Sequence, residues 1–325
     1  MIIDADAHWM PPTEIFKDCL SDSLAQNYQR NNNAYFSSIQ NYKSRLCVLK
    51  VDKQLLNFYG DTVGLQYSSH AGRAVKMATA YNHALDKLCQ ENKEFDYTAW
   101  LPLQDLNASE SLLDNECAGN SFAIHIGEQV PWGFTPKYHR LFSKIAEKNL
   151  PVYLHFSGHY DFPLGWDQDL DPQYANYHSK YPTRANAGVG ESPTWKITIA
   201  SLILSGILEK YNLKIILAEQ GLEWIPEFCN TMLTVSSTDP IPYFKKFFWF
   251  TTEIEEKNFL CISKSLGFDR LLFATDWPHG TSDIGGSNMF KDVDLLNSML
   301  SDNCISQEEY NQITYQNYIH LNDKK

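Results

Sequence analysis

The chain has 325 residues, 43% of them hydrophobic and 14% aromatic, enough apolar material for one large α/β barrel or two ordinary domains, which points to a globular protein. Lys and Arg total 27 against 39 Asp and Glu, and the formal charge of −12 works against nucleic acid or an anionic membrane as partner. A small-molecule substrate is favoured instead.

The opening MIIDADAHWMPP carries no basic segment followed by a long apolar stretch, and no run reaches the roughly 18 apolar residues of a membrane span. The expectation is a cytoplasmic protein. Cys19, Cys47, Cys89, Cys117, Cys229, Cys261 and Cys304 are scattered, odd in number and without a CxxC pair, which predicts ordinary reduced thiols rather than a disulfide framework or a thiolate zinc site.

In chain order, short β-like runs recur at 1–8 (MIIDADAH), 58–67, 95–103, 122–127 (FAIHIG), 151–156 (PVYLHF), 213–220 (LKIILAEQ), 247–252 (FFWFTT) and 270–277 (RLLFATDW). Helical periodicity occupies 70–90, 136–149 and 194–212 between them. Strand alternating with helix predicts parallel strands joined by crossovers, and eight such units suit a (β/α)₈ TIM barrel, with a doubly wound open sheet as the competitor. Two polar stretches, 9–54 and 157–193, break the repeat and read as insertions after strands one and five that cover the barrel mouth. With no linker-like composition shift, residues 1–325 read as a single domain.

The chemistry sits where the runs stop. Asp6 and His8 close the first, His155 the fifth, Glu219 the sixth and Asp276 the eighth. In a closed parallel barrel these ends converge, and acids and imidazoles crowded together call for a shared cation or proton. Asp6-x-His8 places two ligands on one face of a strand. Taken singly, Asp6, His8 or Glu219 is as readily a hydrogen-bonded strand-end group, whereas His155 and Asp276 each interrupt a strongly apolar run.

IDADAHWMPP, AYNHALDKLC followed by WLPLQD, LPVYLHFSG, SLILSGILEKYNLKIILAEQGLEWIP and LGFDRLLFATDWPH occur in that order. In this order the sequence resembles the amidohydrolase superfamily along its whole length, and within it the amidohydrolase-related (amidohydrolase 2) group of aminocarboxymuconate semialdehyde decarboxylase and the aromatic-acid decarboxylases. The resemblance implies a TIM barrel with one divalent metal ion, Zn²⁺ or Mn²⁺, held by Asp6, His8, His155 and Asp276. It makes Asp276 catalytic as well. At strand six the family commonly has His where this chain has Glu219, in AEQGLEWIP, which resembles a branch carrying Glu followed by Gly and Trp-x-Pro and departs from the imidazole's usual role.

Two mechanisms use these residues. In non-oxidative decarboxylation of a small aromatic or unsaturated acid, Asp276 or a proton held by Glu219 protonates the carbon that loses CO₂. In hydrolysis of an amide, cyclic amide or lactone, Asp276 takes a proton from an attacking water. Asp-x-His in place of His-x-His, with one recognisable metal site, resembles the decarboxylase side. A catalytically inactive ligand-binding barrel is the third reading, motivated by the altered Asp6 and Glu219. Arg73 and Arg184 are candidates for a carboxylate clamp or for solvent. Trp9, His125, His159, Trp277 and His279 are the substrate-binding candidates, with packing or second-sphere roles as their alternatives. A homodimer is plausible by family resemblance, with FFWF as a contact.

Overall fold

The computed structural model describes residues 1–19, 38–58, 71–115, 120–127, 136–155, 193–278 and 291–322. Strands β1 (Ile3–Trp9), β2 (Lys53–Phe58), β3 (Phe95–Trp100), β4 (Ala123–Gly127), β5 (Val152–His155), β6 (Ile215–Ala218), β7 (Phe248–Thr251) and β8 (Leu271–Leu272) lie side by side in chain order. Every neighbouring pair is parallel. Between them run helices α1 (Ile39–Leu49), α2 (Ala71–Glu91), α3 (Leu106–Asn115), α4 (His139–Glu147), α5 (Pro193–Leu204), α6 (Ile207–Tyr211), α7 (Ile225–Ser236), α8 (Ile241–Phe247) and α9 (Phe259–Leu266). After β8 come α10 (Lys291–Ser301), α11 (Gln307–Asn311) and α12 (Asn317–Asn322). The sheet closes where Ala7 bridges Trp277: Ala5 N donates to Phe273 O at 2.8 Å and His8 N to Trp277 O at 2.7 Å. The fold is a (β/α)₈ barrel.

Two layers of side chains build it. Ile3, Ala5, Leu55, Ala123, Tyr153, Ile216, Ala218 and Leu272 form one buried cluster; residues from strands that are not neighbours can meet only across the barrel interior. Ala7, Leu56, Ile124, Leu154, Leu217 and Phe250 belong to the other, between strands and helices. Ala5 and Ala7 are two apart and would share a face in a regular strand. They fall in different layers because the β1–β2 register shifts between Asp4 and Ala7. That irregularity is a bulge, which re-aims the side chains beyond it.

The helices follow their apolar spacing. In α2, Ala74, Met77, Ala78, Tyr81 and Leu85 are buried at helical intervals. Asn82 shares that face and satisfies both polar groups of one residue in β3, accepting from Trp100 N at 2.8 Å and donating to Trp100 O at 2.9 Å.

Several expectations need correction. The second strand is Lys53–Phe58, not 58–67, and residues 59–67 lie outside the described residues. Its polar members, Gln54 and Asn57, hide the β pattern because they bond to Asp4 and Asp6 inside the protein. The first insertion accordingly ends before β2 and includes α1, while 157–192 is outside the described residues. The helix expected over 194–212 is two, since Gly206 takes a left-handed φ of 72° between α5 and α6. FFWF is poorly suited to a subunit contact: Phe247, Phe248 and Phe250 are buried in the core. Among the described residues no helix is long and apolar enough to cross a membrane.

Candidate metal centre and active site

Four strand ends deliver five side chains to the site. Asp6 within the β1 bulge and His8 beyond it are both fully buried, and His8 Nε2 lies 3.5 Å from Asp6 Oδ1. The chain after β8 brings Asp276 Oδ1 to 3.0 Å from His8 Nε2. His155, the last residue of β5, places its Nε2 3.2 Å from His8 Nε2, with the two rings edge to face. Glu219, one residue past β6, sets Oε2 3.0 Å from His155 Nε2. Asp276 and Glu219 both have positive φ, 51° and 58°. Non-glycine residues rarely adopt this conformation, and its recurrence at two functional strand ends is the kind of local strain that surrounding structure must hold.

One ligand atom from each of Asp6, His8, His155 and Asp276 lies within 4.8 Å of the others. The set fits a divalent cation. Among the described residues Asp6 Oδ2 is buried with no hydrogen-bond partner, which is costly for a carboxylate oxygen unless a positive charge faces it. Two imidazole nitrogens that approach this closely, each beside a carboxylate, also converge as ligands do.

The electrostatics agree with that reading. Burial raises the Asp6 pKa; His8 and His155 oppose the rise, while Asp276 and Glu219 add to it. Burial alone would lower His155, but Glu219 first, then Asp6 and Asp276, override it and push the imidazole up to about 9. His125 behaves oppositely: burial, then the neighbouring His155 and His8, hold it well below the usual histidine range, so it is a neutral imidazole.

A further tier fixes the ligands. Asn57 on β2 donates to Asp6 Oδ1 and to Tyr153 Oη, both at 2.9 Å, and Tyr153 donates to Ala5 O at 3.1 Å across the barrel. Asp4 receives Gln54 Nε2 at 2.9 Å and Thr275 Oγ1 at 2.6 Å on one oxygen, and Asp6 N and Thr275 N on the other at 3.1 and 3.0 Å. It thereby ties β1 to the segment carrying Asp276. Asp4, Asn57, Tyr153 and Thr275 escaped the sequence reading. The alternation of Asp4 with Asp6 was visible, but their partners lie tens to hundreds of residues away.

The substrate-binding candidates scatter. His125 on β4 is buried, 5.9 Å between centroids from His155, and belongs to the site's wall. Trp9 and Trp277 are packed in the outer layer and only 4% and 1% exposed; Trp277 stands edge-on to Tyr42 at 4.4 Å and Trp9 is tilted against Tyr81 at 6.1 Å. That packing leaves them little surface for a ligand. His159, His279 and Arg184 lie outside the described residues. Arg73 falls in the first turn of α2, half-buried.

A parallel barrel whose strand ends converge on buried acids and imidazoles defines a metal-dependent barrel enzyme, of hydrolase or carboxy-lyase type. Residues 3–317 match the family model described as Amidohydrolase, and the chain belongs to that family. It is similar to gamma-resorcylate decarboxylase of Rhizobium sp. (strain MTP-10005), 25% identical over 236 residues that span 63% of this chain and 67% of the relative. Among solved structures, 2,6-dihydroxybenzoate decarboxylase from Rhizobium has a TM-score of 0.69 at 20% identity over 98% of both chains. The dihydroxybenzoic acid decarboxylase from Polaromonas sp. JS666, with bound manganese and the inhibitor 2-nitroresorcinol, has a TM-score of 0.69 at 19% identity, covering 98% of this chain and 96% of its own. These two structures share the barrel.

Proposed function

We propose that the protein is a metal-dependent, non-oxidative decarboxylase of a hydroxylated aromatic carboxylic acid such as 2,6-dihydroxybenzoate. The observation that carries this reading is a compact ligand cluster, the one found among the described residues, with a carboxyl group, Glu219, at its rim beside His155. The decarboxylase relative and the two decarboxylase structures support it.

Asp6, His8, His155 and Asp276 hold the ion in this reading, and the mixed oxygen and nitrogen set suits Mn²⁺ or Zn²⁺. When bound, a divalent ion supplies Lewis-acid polarisation of substrate oxygens. The chain's own residues manage the proton. Decarboxylation exchanges a carbon–carboxylate bond for a carbon–hydrogen bond, so a proton must reach the ring carbon that CO₂ leaves. Glu219 and Asp276 flank the histidine pair, and of these two it is Glu219 that lies outside the ligand cluster. It therefore holds and delivers the proton, a role worth about 10²–10⁴-fold in rate. Neutral His125, its ring 5.9 Å from that of His155, lines the site without adding charge.

The test is turnover of 2,6-dihydroxybenzoate by protein loaded with Mn²⁺ or Zn²⁺, followed by CO₂ release. Hydrolysis of a lactone or amide panel without CO₂ release would replace the proposal with a hydrolase. Loaded protein that turns over neither class would point to a binding role.

A further inference from the structure

Glu219 sits in a turn that needs an external brace. Its φ is +58° and that of Gly221 is +53°, so the chain enters the left-handed region twice within three residues. The loop after β7 supplies the brace. The Glu256 carboxylate accepts the Leu222 N–H through Oε1 at 2.9 Å and Oε2 at 2.8 Å, and the Glu223 N–H through Oε1 at 3.2 Å. The return bonds run the other way: Glu223 Oε1 accepts Asn258 N at 3.2 Å and Asn258 Nδ2 at 3.4 Å. Each loop thus offers a carboxylate to the other's backbone. Gly221 is part of the fit, because a Cβ there would stand 1.9 Å from Glu256 Oε1. Beneath the turn, Glu219 N donates to Thr251 Oγ1 at 3.1 Å, which anchors the same residue to β7.

We propose that Glu256, with Glu223 as its counterpart, is a positioning residue: it locks the turn after β6 onto the loop after β7 so that the Glu219 carboxyl group stays at the rim of the ligand cluster, beside His155. Neither Glu256 nor Glu223 belongs to the ligand cluster, so the lock acts through Glu219. Its catalytic consequence rests on the function proposed above, whereas the positioning does not.

Long-range imidazole ¹H–¹⁵N spectra of the metal-free protein read the pair directly, with the His155 signals identified by a His155→Gln variant. Glu256→Ala and Gly221→Ala are expected to move those signals toward their positions in Glu219→Gln. They should also speed deuterium exchange at the Leu222 and Glu223 amides by about tenfold or more, the two bonds having been released. Glu256→Gln, whose carbonyl oxygen still accepts, should fall between. Unmoved His155 signals in folded Glu256→Ala, or in Gly221→Ala and Glu256→Gln if the alanine variant does not fold, overturn the proposal. In turnover, Glu256→Ala should lower kcat about tenfold with KM unchanged and add nothing in a Glu219→Gln background, the signature of residues acting as one unit. A full effect in that background also overturns it. If the wild type releases no CO₂, the functional reading fails and the spectra alone decide the positioning.

Discussion

Glu219 Oε2 stands 3.0 Å from His155 Nε2, a carboxyl group joined to an imidazole whose other close neighbour is His8. The pairing sets the charge of the whole centre, because it makes His155 a strong base in the metal-free protein. Its imidazole is pushed up to about 9 from an ordinary value of 6.5. A folded-state pKa above the unfolded one means that the proton favours folding. The contribution is fully present below about 6.5 and lost as pH rises through about 9. Metal-free protein should therefore lose melting temperature across that window, and Glu219→Gln should flatten the loss, since burial then dominates. A wild-type melting curve indifferent to pH over this range would show that the pair does not form.

Metal should reverse the dependence. Elemental analysis of purified protein is expected to give about one Mn or Zn per chain, with His155→Ala and Asp276→Ala prepared identically losing it. Because the ion binds the folded state, excess metal at about 100 times Kd should raise stability by about 2.7 kcal/mol. Melting that does not respond to Mn²⁺ or Zn²⁺ would exclude the cluster as a metal centre.

Asp4 carries a separate prediction. Burial raises its pKa to about 7 against the hydrogen bonds from Thr275, Gln54 and Asp6 that lower it. The proton again favours folding: this contribution is complete below about 3.8 and is lost as pH rises through about 7. Asp4→Asn should remove that pH dependence at modest cost, because Gln54 Oε1, buried without a hydrogen-bond partner among the described residues, becomes available to accept from the new amide after a flip. Asp4→Ala strips the acceptors from Gln54, Thr275 and Asp6 and should cost about 3 kcal/mol in denaturant unfolding. Equal stability of the two variants would contradict the network.

The barrel and most of its strand-end chemistry were legible in the sequence, because a carboxylate or imidazole that stops an apolar run leaves a local signature. IDADAH, VYLH and LLFATDW each show it. β2 was not legible, since Gln54 and Asn57 look like surface residues until their partners Asp4 and Asp6 are placed 50 and 51 positions away. The β1 bulge left no mark either: IDADAH alternates regularly, and only the pairing with β2 reveals the shift between Asp4 and Ala7. Glu256 reads as one acid among several in TTEIEEKN, and its role depends on the glycine turn 35 residues earlier. Trp9 and Trp277, large aromatic rings at functional strand ends, pack in the layer between strands and helices.

Asn57 tests how far the surrounding tier controls the centre. Its single amide nitrogen donates both to Asp6 Oδ1 and to Tyr153 Oη, so it sets the orientation of the one carboxylate whose other oxygen is left for a cation. Replacing it with Leu retains bulk but removes the donor. Asp6 Oδ1 and the Tyr153 hydroxyl then lose a buried partner, at about 1–3 kcal/mol in stability. Metal affinity should fall about 10–100-fold, the usual cost of losing a group that orients a ligand. Asn57→Asp should be worse for folding and metal alike in the metal-free state, because it sets a third carboxylate against Asp6 with no donor between them. Isothermal titration with Mn²⁺ on the two variants distinguishes these effects. Wild-type affinity in Asn57→Leu would mean that Asp6 is oriented by the β1 bulge alone.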